Sequence, residues 1–101
     1  TIVRGEANES VENELVTLFE NIIDNKNLDQ AITRLSTLWQ TAKQDTYNDY
    51  TDYAPYIGWY LAIAYLEDYD KDKAKDVLKE MEEMYPVGTA MGDKVREILE
   101  K

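Results

Sequence analysis

The chain has 101 residues, the length of one domain, and its 44% hydrophobic and 32% charged residues exclude a disordered tail. Its 21 acidic and 11 basic residues leave a net charge of −10, a field that repels phosphate backbones and anionic headgroups. Nucleic acid and direct membrane contact by this fragment are therefore not expected. Without Cys or His there are no disulfides, no thiolate or imidazole zinc sites and no nucleophile–imidazole catalysis. Four Gly and two Pro are too few turn-formers for a many-stranded β protein.

Residues 1–8 are polar, contain Gly5 and lack periodicity, which predicts a mobile or docked lead-in. The start without Met reads as a processed or cloned fragment. From Glu9, Val11, Leu15, Leu18, Phe19, Ile22 and Ile23 form a helical stripe. The polar residues 24–27 end it, and Asn27 is the predicted N-cap of a second helix over 28–43. That helix carries Leu28, Ala31, Ile32, Leu35, Leu38, Trp39 and Ala42 on one face. A segment rich in Asp, Thr, Asn and Tyr follows. Pro55 then suits the first turn of a third helix over 55–68, because proline lacks the donor that this turn leaves unpaired.

The third helix is apolar nearly all round, which predicts a central position. Its apolar stretch, 57–66, is too short to span a bilayer. Asp70 is the expected cap of a fourth helix with Ala74, Val77, Leu78, Met81 and Met84, which Pro86 and Gly88 end. A last helix over 89–101 carries Met91, Val95, Ile98 and Leu99.

Two helix–turn–helix units superimpose within this pattern. Leu18, Ile22, Ala31, Leu35 and Leu38 take the places of Leu61, Tyr65, Ala74, Leu78 and Met81, 43 positions later. The tetratricopeptide repeat has a period of about 34, and the extra residues fall at 46–54. Leu61-Ala62, Tyr65, Asp70, Ala74, Leu78 and Pro86 resemble that family's pattern. Tyr69 in place of a turn Gly, Gly58 in place of Trp and Met81 in place of Ala depart from it. In the first unit Phe19 replaces a small residue.

The resemblance implies an all-α, right-handed α-α superhelix. It would contain about two repeats (12–45 and 55–88), an insertion at 46–54 and a capping helix at 89–101, all in one domain over 9–101. The run 59–66, Asp70-Lys71-Asp72-Lys73-Ala74 and Val95-Arg96-Glu97-Ile98-Leu99 also resemble the C-terminal region of membrane-anchored repeat proteins of Bacteroidetes. Arg4-Gly5-Glu6 is similar to the sequence that precedes their repeats. This likeness implies a periplasmic or cell-envelope location.

Asp68, Asp70 and Asp72 suggest a calcium loop, but Lys73 and Lys79 stand where such a loop needs Gly and Glu, so no metal site is expected. Nothing singles out a carboxylate pair such as Asp49 and Asp52 for acid–base work. No cofactor motif is present, and an enzyme is not expected.

Tyr47, Tyr50, Tyr53, Tyr56 and Tyr60 recur every three or four residues. They either cover the inter-repeat connection or grip a peptide or glycan through ring faces and hydroxyls. Partners of the resembled family lie on the inner surface of the first helix of each pair. Its counterparts here are Asn13, Val16, Thr17 and Glu20, then Tyr56, Trp59, Tyr60 and Ile63. Trp59 and Tyr60 serve either as interface anchors or as core beneath the last helix. The function so implied is a protein–protein interaction module holding a peptide or neighbouring domain. The alternative is an envelope spacer or a self-assembling homo-oligomer.

Overall fold

The computed structural model describes residues 2–100, with side chains from Ser10 onward; Thr1 and Lys101, the ends of the expected lead-in and last helix, lie outside the described residues. The apolar stripes form five α-helices: α1 (Ile2–Ile23), α2 (Leu28–Ala42), α3 (Ala54–Glu67), α4 (Lys71–Met84) and α5 (Ala90–Glu100). One 3₁₀ turn, Thr51–Tyr53, precedes α3, and no strand occurs among the described residues. The protein is all-α.

The first helix starts at Ile2, not at Glu9, so the backbone of the expected lead-in is helical. No proline or cluster of turn-formers interrupts it, and a single glycine costs a helix only about 1 kcal/mol. Periodicity locates the buried face of a helix, not its full length.

Between α1 and α2 the chain reverses through Asn25 (φ 56°) and Asn27 (φ 51°), left-handed positions that Asn tolerates better than most residues. The expected side-chain cap by Asn27 is absent. The residue is left-handed where a capping residue is usually extended, and its carbonyl instead accepts from the Ala31 amide at 3.0 Å. The next reversal places Tyr69 at φ 62°. Asp70 then caps α4 as expected, its Oδ1 accepting from the Lys73 amide at 3.2 Å.

Each helix packs on the next in sequence, and α1 also touches α3. Short turns join α1 to α2, α3 to α4 and α4 to α5 and make these pairs antiparallel, while the longer segment 43–53 joins α2 to α3. The molecule is 19 Å across its shortest dimension, about two helix diameters. One core runs through all five helices, from Val11 and Leu15 through Trp39, Leu61 and Met81 to Val95.

Gly58 is where α2 and α3 approach closely. A Cβ there would lie 2.7 Å from Cζ3 of Trp39 and 2.9 Å from Sδ of Met81. The space beside Gly58 is filled by the Trp39 indole of the neighbouring helix. Helix α5 is held by Arg96, whose guanidinium donates to the Tyr85 and Glu82 carbonyls at 3.2 and 3.1 Å. These are orphan acceptors at the end of α4. Among the described residues no helix is long and apolar enough to cross a membrane.

Candidate functional site

Asn13, Val16, Thr17 and Glu20 lie at intervals of three and four, which puts them on one face of α1. All four are exposed, and Val16 is an apolar side chain 51% open to solvent. Thr17 returns its hydroxyl to the Asn13 carbonyl at 2.9 Å, leaving the face without a fixed polar donor there. The same spacing groups Tyr56, Trp59, Tyr60 and Ile63 on α3. Tyr56 is 55% exposed, while Trp59, Tyr60 and Ile63 are half-buried.

The two faces join through a ring stack. Phe19 and Tyr60 lie with centroids 4.1 Å apart and planes 15° from parallel, worth about 0.5–1.5 kcal/mol beyond the area buried. The large residue at 19 therefore bridges α1 and α3. On the far side Lys94 of α5 places its ammonium 5.1 Å from the Trp59 ring centre. Trp59 thus meets the last helix along one side and keeps part of its surface open.

The tyrosines of the row differ in their contacts. Tyr47 bonds Asp52. Tyr50 donates to Glu14 at 3.0 Å and Tyr53 to Glu12 at 2.8 Å, tying the insertion to α1. Arg34 of α2 completes this network with hydrogen bonds to Glu14 at 2.8 and 3.2 Å. The Arg34 hydrogen bond, aided by Tyr50, holds the Glu14 carboxyl below its ordinary pKa. Burial, then the bond to Glu14, pushes the Tyr50 phenol up. Asn48 shapes the loop, donating to the Thr41 carbonyl at 2.9 Å and accepting from the Tyr50 amide at 3.0 Å. Tyr50 and Tyr53 therefore pack and cross-link, whereas Tyr56 and Tyr60 belong to the α3 face.

Two features of the packing around α3 escaped the sequence patterns. Glu67 is the one charged residue of α3, its Oε2 is buried, and it has no hydrogen-bond partner among the described residues. Its isolation in an apolar helix was a visible signal. The position of Lys94 over Trp59 had none, because it depends on how α5 docks.

Surface depressions of about 360 and 370 Å³ lie elsewhere, one along the outer face of α2 and the other between Leu66, Lys71, Leu78 and Leu99. No group of three or more acidic residues able to hold a metal ion occurs among the described residues. Compared with known proteins, the chain matches no family model, no curated protein and no solved structure.

Proposed function

We propose that the protein is a tetratricopeptide-like interaction module that holds a peptide or a neighbouring domain on the α1–α3 face. The observation that carries this reading is an aromatic and aliphatic surface left partly open across two helices. Val16 and Tyr56 are exposed beside the half-buried Trp59, Tyr60 and Ile63. Large aromatic side chains lose few rotamers on binding and anchor interfaces well.

The repeat-like superposition of 12–45 on 55–88, with α5 as a cap, supports a short right-handed superhelix whose inner face this would be. In the same reading the module performs no catalysis and belongs to the cell envelope, as the soluble part of an anchored protein. The test is to replace Val16 and Tyr56 with Ser, verify that the circular dichroism and melting temperature are retained, and measure binding to peptides selected on the native protein. Loss of binding by tenfold or more is expected; unchanged affinity with an intact fold places the working surface elsewhere.

Self-assembly is the second reading. It is favoured by the exposed apolar side chains of Ile23, Leu66 and Tyr69, which the antiparallel helix order brings to one end of the molecule. A sedimentation series across concentration separates the two, because self-assembly needs no other partner.

A further inference from the structure

One cleft of the molecule joins hydrocarbon to local positive charge. It holds about 370 Å³ where the end of α3, the first half of α4 and the end of α5 meet, a volume within the range of small-molecule sites. Leu78 of α4 is its most buried lining residue, at 3% exposure. Leu66 of α3 is partly open, and Ile98 and Leu99 of α5 are half-buried. Every uncharged side chain of the lining is therefore aliphatic, and the Leu66 carbonyl is already taken by the Tyr69 amide at 3.1 Å. A peptide laid there would turn its own N–H and C=O groups toward hydrocarbon, each a cost when unpaired. An alkyl chain brings no such groups. The charged lining residues are Lys71, Lys75 and Glu100. Lys71 and Lys75 are exposed and one helical turn apart on the same side of α4. Among the described residues neither forms an ion pair, and Asp70 is engaged by Lys73 at 3.8 Å. Two ammonium groups against one carboxylate leave positive charge in excess, in a molecule whose net charge is −10. Salt screens that overall field within about 8 Å, so at contact the lining side chains decide which charge is accepted.

We infer that this cleft binds a free single-chain carboxylate amphiphile, of the chemical class of medium-chain fatty acids. The alkyl chain lies on Leu66, Leu78, Ile98 and Leu99, and Lys71 and Lys75 hold the carboxylate. The site shares no residue with the α1–α3 face and does not depend on the interaction-module reading. Lysine presents a compact charge without a fixed fork, so two of them can straddle one carboxylate. Exposed pairs of this kind are weak. The chain therefore supplies most of the affinity, and the lysines select the sign of the head.

The experiment titrates the intact protein with hexanoate, octanoate and decanoate, each below its micelle concentration, and follows methyl and amide NMR shifts. Saturable shifts centred on Leu66, Leu78, Ile98 and Leu99 are expected, with affinity rising by up to about fourfold per added methylene. Decylammonium, the same chain with the opposite head, should bind about threefold or more weakly than decanoate. Replacing both lysines, Lys71→Gln with Lys75→Gln, should erase that preference and retain the melting temperature, because both side chains are exposed. The comparison of heads on the native protein stands even if the double variant is unstable. No saturable shift, shifts centred elsewhere, affinity independent of chain length, or decylammonium binding as tightly as decanoate overturns the inference. So does displacement of decanoate by a leucine-containing acidic peptide that binds more tightly, which would make the cleft a peptide site.

Discussion

Tyr69 and Gly58 carry opposite departures from what their positions ask of a residue. Tyr69 sits at φ 62° and is 94% exposed, so it takes the left-handed conformation without burying its ring. An L-residue there costs about 1–2 kcal/mol, and glycine removes the steric part of that cost. Tyr69→Gly is expected to raise stability by about 1 kcal/mol, read as a higher denaturation midpoint; an unchanged or lower midpoint would show that the ring makes a compensating contact. Gly58 has the reverse problem, because the Trp39 indole occupies the space a side chain would need. Gly58→Val should lower stability by about 2 kcal/mol or more through overpacking. Urea unfolding measures it, and a neutral result would mean that the indole relocates easily. The sequence shows neither effect, because both depend on backbone conformation and packing. Only the packing explains why one is a strained turn and the other a contact point between helices.

At the scale of elements, the insertion is attached by polar side chains rather than by a core of its own. Tyr50, Tyr53 and Arg34 converge on Glu12 and Glu14 of α1. The lowered pKa of Glu14 makes this attachment sensitive to acid. Its contribution is fully present above the ordinary glutamate value of about 4.3 and is lost as pH falls through the lower folded value. The side chains of Arg34 and Glu14 are 46% and 33% exposed, so solvent screening limits the pair to about 1 kcal/mol. Glu14→Gln should therefore flatten the acid limb of a melting-temperature profile while changing the melting temperature at neutral pH only modestly. An acid limb identical to that of the native protein would exclude this network as its source. On the alkaline side, the raised pKa of Tyr50 predicts stability lost as pH climbs above about 10. The sequence exposes the tyrosine period, but a period cannot say which hydroxyls find carboxylates on another helix. The row splits because Glu12 and Glu14 are within reach of Tyr50 and Tyr53, whereas Tyr56 lies on α3 beyond the loop.

For the whole molecule, the continuity of the core from Val11 to Val95 predicts a single cooperative unfolding transition, with circular dichroism and Trp fluorescence coincident. Separate midpoints for the two signals would show that one end of the helical stack unfolds on its own. The helices themselves were written in the chain. Stripes at helical period, Pro55, Asp70, Pro86 and Gly88 fixed five helices and most of their limits, because burying one apolar face is a local property of spacing. The start of α1 lay outside that signal, since a helix can continue where it has no face to bury, and the left-handed Asn27 defeated its role as a side-chain cap. The candidate face came only from the family resemblance, which carries over Asn13, Val16, Thr17 and Glu20 and, separately, Tyr56, Trp59, Tyr60 and Ile63; helical spacing adds that each group shares one side of its helix. What only the tertiary structure decided is how those groups meet. The Phe19–Tyr60 stack, Lys94 over Trp59 and the enclosed, unpaired Oε2 of the half-buried Glu67 each depend on the docking of helices. Period states which way a side chain leaves its own helix; only packing determines what it finds there.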